Sequence, residues 1–268
     1  MVALNYKKIQ EFWDQAKPSS LSPYMMEGYG FPESASKYRF KAEAKILKRL
    51  LESVDRNGTV LDLGGGVGLW TSFFAERFRH VITVEASQRF YKALAARRSL
   101  HPNIQIFQQD IRSFVPQTPI SLAFSGGLLM YLNDEDIRNL LKRLQGNLKP
   151  DGIMVCRETT IRNGTAIRQG NYQAVYRSVS VYKKIFEEAG FQVLKIEKNS
   201  PYVLLEMGIQ FLEKLKETIP YPKRWISILG PCVYFGLRLS NRWIVKMPRW
   251  LGMEYPELQN HFFAIRPY

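Results

Sequence analysis

The 268-residue chain predicts an α/β fold, a mixed sheet of seven strands with helices on both faces. Two observations carry the prediction. From Val60 onward, short apolar runs rich in β-branched residues alternate with amphipathic helical stretches, the pattern of a largely parallel sheet. The first run also ends in a glycine-rich turn, Leu63-Gly64-Gly65-Gly66-Val67-Gly68, where a helix is about to begin.

In chain order the strands are expected at 59–63, 80–85, 104–108, 120–125, 152–158, 191–197 and 261–266. Helices are expected at 68–78, 88–99, 134–147 and 179–189. Asn133 is placed to cap the third of these, and Gly190 stops the fourth. Lys149-Pro150-Asp151-Gly152 reads as a turn into the fifth strand. Two regions fall outside this rhythm. Residues 1–58 form an amino-terminal segment with a helix over 35–51, preceded by a Gly/Pro-bearing loop and suited to lid a site. Residues 199–259 form a basic, aromatic-rich helical insertion before the last strand, so the sheet domain comprises 59–198 plus 260–268.

Composition narrows the function classes. Hydrophobic residues make up 46% and charged residues 23%, which excludes wholesale disorder. The net charge of +14 is spread along the chain: +3 over 1–58, +3 over 59–160, +4 over 161–200 and +4 over 201–268. With no basic tail and no recognisable RNA-binding module, nucleic acid is not expected as a partner. Two cysteines, Cys156 and Cys232, make neither a disulfide framework nor a cysteine-rich zinc site. His80, His101 and His261 lack partners at metal-ligand spacing, so no metal is expected. No secretion signal opens the chain, and no run of about 18 apolar residues is present. The expected location is cytoplasmic, or peripheral at a membrane surface.

The glycine turn is the strongest functional signal. Its backbone amides allow close approach of a ligand, and the helix that follows presents further free amides. A dinucleotide fingerprint begun at Gly64 needs a third glycine where Leu69 stands, and no Gly-Lys-Ser/Thr follows for a P-loop. Leu61-Asp62-Leu63-Gly64-Gly65-Gly66-Val67-Gly68 instead resembles the first motif of class I S-adenosylmethionine-dependent methyltransferases. Three later features agree in order: Glu85 ending the second strand, Asp110 after the third, and Ser125-Gly126-Gly127 after the fourth. The resemblance implies a Rossmann-like sheet. It also implies an S-adenosylmethionine shell of Asp62, Gly64, Gly65, Gly66, Gly68, Glu85, Ala86, Asp110, Ile111 and Ser125. In that reading Glu85 takes the ribose hydroxyls and Asp110 faces the adenine amino group. The chain departs from the family at Ser121, where many members carry an Asp. It also has Leu69 where protein amino-terminal methyltransferases carry an arginine for the cofactor carboxylate, and Arg39 is expected to substitute.

An acceptor should meet the loops after strands four and five and the amino-terminal lid. Glu158, ending the fifth strand, is the expected base, or else a salt-bridge partner of Arg157 or Arg177. Tyr176 is the second candidate for the chemistry, and Tyr24, Tyr29, Tyr131, Tyr172 and Arg177 are candidates for holding the acceptor. Between Thr218 and Met253 stand six basic residues, no acid and three of the five tryptophans. This stretch reads as a cap over the cleft, a peripheral membrane contact through 220–252, or a dimer interface. The function expected is methyl transfer to a nitrogen or oxygen of a small or medium acceptor, anionic or amphiphilic, such as a sugar or lipid-linked metabolite. Protein amino-terminal methylation and a non-catalytic cofactor-binding role stay open beside it.

Overall fold

The computed structural model describes residues 3–16, 31–218, 226–244 and 256–268. Strand β1 (Thr59–Leu63) is central, and it pairs in parallel with β2 (His80–Glu85) on one side and β4 (Ile120–Ser125) on the other. Because both faces of these strands are covered, Val60 to Leu63 and all six residues of β4 are buried without alternation. Beyond β2 lies β3 (Ile104–Gln108). Beyond β4 lies the long β5 (Leu148–Ile161), which pairs antiparallel with β9 (Gln259–Pro267), itself paired with β8 (Phe191–Lys198).

Leu61, Val84, Ala123 and Met154 belong to the core over α5 (Asp134–Gln145) and α6 (Val179–Glu188). Val60, Val81, Phe124 and Val155 belong to the other, under α2 (Glu33–Leu50) and α3 (Leu69–Ala75). α4 (Gln88–Arg98) connects β2 to β3.

All seven expected strands are present, and the described residues add two more. The stretch expected as a loop after β5 folds into an antiparallel hairpin, β6 (Thr165–Arg168) and β7 (Ala174–Ser178). Thr160 pairs with both Gln259 of β9 and Arg177 of β7, so β7 continues the edge of β5 that β4 has vacated. The lid also differs from expectation. The 35–51 helix is α2, which is packed into the core. The element over the cleft is α1 (Tyr6–Gln15), which the expected elements did not include. Within the insertion, α7 (Ser200–Thr218) and α8 (Ile226–Ile244) pack on each other, close enough that a Cβ at Gly208 would lie 2.7 Å from Leu237.

Candidate active site

A cleft of about 840 Å³ opens beyond the carboxyl ends of β1, β2, β4 and β5. Its floor is the glycine turn. Gly64, Gly66 and Gly68 have φ of 71°, 55° and 80°, a region that favours glycine. A side chain at Gly65 would collide with Thr83 at 2.2 Å, whereas the space over Gly66 is open. The turn is pinned from below, where the Gly64 and Gly65 amides donate to the Val84 carbonyl at 2.8 and 3.2 Å.

Two carboxylates flank the turn. Asp62 is buried and accepts from the Thr71 hydroxyl at 2.6 Å; burial lifts its pKa to about 7, against the pull of that hydrogen bond and with a push from the Glu85 charge. Glu85 accepts from the Gly66 and Ser87 amides, both at 2.9 Å. Burial raises its pKa also, and the amides oppose the rise. Asp110 lines the far wall, its carboxylate engaged by its neighbour Arg112, whose guanidinium lies 3.7 Å from the Tyr6 ring centroid.

α1 is fastened over this floor at both ends. Asn5 caps it, accepting from the Lys8 amide at 3.1 Å, and Arg89 of α4 donates to the Gln15 carbonyl at 3.0 Å. Between the ends, the Tyr6 hydroxyl bonds Asp136 and accepts from Asn133. Trp13 packs on Tyr131 and Phe90, and Phe12 on Tyr172. Asn133 is the residue before α5, but its side chain serves α1 instead of capping α5.

Another part of the cleft is lined by Tyr131, Tyr172, Tyr176 and Tyr202, with Thr159, Glu206 and Gln210. The Tyr131 and Tyr172 hydroxyls are 2.9 Å apart. Burial pushes the pKa of Tyr131, Tyr172 and Tyr202 upward, so these phenols stay neutral. Glu206 is raised by burial and held by hydrogen bonds from Gln210 and Tyr202. Tyr202, Glu206, Gln210 and Glu213 come from the insertion, and the sequence reading did not single them out. Their spacing of four, four and three residues, set among the apolar residues from Val203 to Leu212, was the available signal.

The sequence candidates therefore divide. Arg39, Asp62, Gly64, Gly65, Gly66, Glu85, Ala86, Asp110, Ile111, Tyr131, Tyr172 and Tyr176 line one cleft. Tyr24 and Tyr29 lie outside the described residues. Glu158, expected as the base, is fully buried and does not line the cleft. One carboxylate oxygen accepts from the Ser125 hydroxyl at 2.8 Å and from the Leu128 and Leu129 amides at 3.2 Å each. Glu158 thus clamps the loop after β4, and Ser125 belongs to that clamp instead of the cofactor wall. Arg177 is corrected likewise. It is fully buried, binding the Asp134 carboxylate and the Leu129 and Leu132 carbonyls. Gly68 lies beneath the turn as the residue that starts α3. Arg157 lies 3.5 Å from Glu43 and acts on Glu158 as a nearby charge, and Glu43 also accepts from Arg39 at 2.9 Å and from Asn199 at 2.6 Å.

Residues 3–206 match the profile of the family described as AdoMet-dependent proline di-methyltransferase. The chain belongs to this family. S-adenosylmethionine is accordingly its cofactor, and the open glycine turn flanked by Asp62 and Glu85 fits it. Among curated relatives, the chain is 29% identical over 189 residues to phosphoethanolamine N-methyltransferase 1 of Triticum aestivum, which covers 68% of the chain and 36% of the relative. It is 26% identical over 204 residues to N-terminal Xaa-Pro-Lys N-methyltransferase 1 of Homo sapiens, which covers 72% of the chain and 87% of the relative. The chain thus spans only about a third of the length of the plant relatives. A solved SAM-dependent methyltransferase of Leishmania major shares the fold, with a TM-score of 0.63 at 15% identity, covering 97% of this chain and 82% of that one.

Proposed function

We propose that this methyltransferase-family protein methylates an amine nitrogen of a small or medium acceptor seated among Tyr131, Tyr172, Tyr176 and Tyr202. The observation that carries the reading is the chemistry of this part of the cleft: four phenol rings, those of Tyr131, Tyr172 and Tyr202 kept neutral by burial, beside the partly buried carboxylate of Glu206. Aromatic faces and a carboxylate favour a cationic ammonium and its methylated products over a neutral alcohol. The plant and human relatives, both named as N-methyltransferases, support the same atom.

When bound, S-adenosylmethionine supplies an electrophilic methyl group on a positively charged sulfur. Asp62 would hold the cationic methionine end of the cofactor, Glu85 its ribose and the glycine turn its backbone-facing side. An ammonium has no lone pair, so it must lose a proton before its nitrogen can form the new bond. Glu206 is the group assigned to receive that proton. The tyrosines orient the nitrogen and exclude water, and alignment of this kind supplies most of the acceleration in a displacement.

A calorimetric titration of the protein saturated with S-adenosylhomocysteine distinguishes the readings. A choline-like quaternary ammonium should bind about tenfold or more tightly than its uncharged tert-butyl isostere. Equal binding of the two would remove the basis for an amine acceptor. Tight binding of a Xaa-Pro-Lys peptide with no binding of small ammonium compounds would instead favour a protein amino terminus.

A further inference from the structure

The outer face of α8 is not used by the cleft. Gly230, Tyr234 and Leu237 recur at helical spacing and are buried. The opposite stripe is also apolar: Ile228, Phe235 and Leu239 are 63%, 57% and 91% exposed, with exposed Cys232 between them. These positions follow i, i+4, i+7 and i+11, so they share one side of the helix. A solvated helix face ordinarily carries charged residues there, and an apolar stripe of this length marks a surface that meets something else.

Charge indicates what it meets. The sequence between Thr218 and Met253 carries Lys223, Arg224, Arg238, Arg242, Lys246 and Arg249, no acid, and three tryptophans. Arg238 is exposed, with its guanidinium over the Tyr38 ring at 3.8 Å. An exposed apolar helix face within a basic, tryptophan-bearing stretch of sequence matches the headgroup and acyl boundary of an anionic bilayer. A second copy of the same surface would bring like charges together. Among the described residues no helix is long and apolar enough to cross a membrane, which leaves a helix lying along the surface.

We propose that α8 docks the protein on anionic membrane surfaces, with Ile228, Phe235 and Leu239 entering the acyl boundary and basic residues meeting the headgroups. This docking does not depend on which acceptor the cleft takes. α7 packs against α8 while lining the cleft with Tyr202, Leu205 and Glu206, so one helix separates the bilayer from the site.

Co-sedimentation of the full chain with vesicles tests the proposal. The protein should pellet with vesicles containing phosphatidylglycerol but not with phosphatidylcholine alone, and raising the salt to about 0.5 M should release it. Phe235→Ser combined with Leu239→Ser should weaken binding by about tenfold or more, with circular dichroism and S-adenosylhomocysteine affinity unchanged. The proposal is overturned if the wild type stays in the supernatant with anionic vesicles at low salt, or binds both lipids alike. A folded double variant that binds as well as wild type would also overturn it. So would a dimer that the double variant dissociates while vesicles go unbound. The lipid and salt comparisons use the wild type alone, so they decide the matter even where the double variant does not fold.

Discussion

At the scale of single residues, Asp62 links cofactor binding to pH. Its folded pKa, about 7, stands above the ordinary 3.8. In the ligand-free protein the folded state therefore keeps a proton that the unfolded chain releases. The stability this contributes is full below about pH 4 and is lost as pH rises through about 7. A cationic ligand pairs only with the ionised form, so cofactor affinity runs the other way. Calorimetry should show S-adenosylmethionine binding more tightly from about pH 6 to about pH 8, and Asp62→Asn should flatten the profile and weaken binding about tenfold or more. A profile that Asp62→Asn leaves unchanged would assign the titration elsewhere. Glu206 gives a second prediction at this scale. Glu206→Gln should lower kcat about 100-fold or more with a smaller effect on KM, and Glu206→Asp should restore part of it. Equal losses in the two variants would mean that the carboxylate is not handling the proton.

Among the elements, α1 is held by a small cluster in which Ile9 joins Met130, Tyr131 and Tyr176, with Tyr6 reaching a main core, and it is the wall of the cleft expected to open. Arg89→Ala removes the cap on its last turn and should speed cofactor release about tenfold in stopped-flow measurements, with little change in melting temperature. An unchanged release rate would show that α1 does not gate the site. The elements also differ in how legible they were. The central strands could be read because both faces are buried, giving largely apolar runs such as Val60 to Leu63 and Ile120 to Ser125, whereas β3 and β8 are exposed along much of their length and could be read from their place in the alternation. The β6–β7 hairpin could not, because all four residues of β6 are exposed and the apolar signal is confined to Ala174, Val175 and Tyr176. α1 carried a signal that went unused: Asn5 as cap, then Tyr6, Ile9 and Trp13 along one face. Glu158 misled because the strand was expected to end there, where a base would suit, whereas β5 runs on to Ile161 and the loop after β4 folds over the carboxylate and buries it. The glycine turn and the two carboxylates beside it were legible because their spacing is local.

Across the whole molecule, the amino-terminal segment, the sheet and the insertion meet at Glu43. This carboxylate from α2 is fully buried and is reached by Arg39, by Arg157 of β5, and by Asn199, which also donates to Asn260 of β9. Burial alone would raise its pKa, but the two guanidiniums outweigh it and hold the carboxyl below the usual range. The stability it contributes is present above the unfolded pKa near 4.5 and is lost as pH falls through the lower folded value. Glu43→Gln removes the buried charge that two guanidiniums share, and chemical denaturation at neutral pH should show a loss of about 3–5 kcal/mol. A loss below about 1 kcal/mol would mean that the junction is not a structural centre.

The central claim, transfer to nitrogen at the tyrosine-lined part of the cleft, is met most directly by incubating the protein with methyl-labelled S-adenosylmethionine and matched acceptors that differ only in bearing an amine or a hydroxyl. Label should enter the amines, and its entry should fall about tenfold or more in Tyr176→Leu. Label entering the hydroxyl compounds at an equal rate, or entering neither series while the cofactor binds, would contradict it.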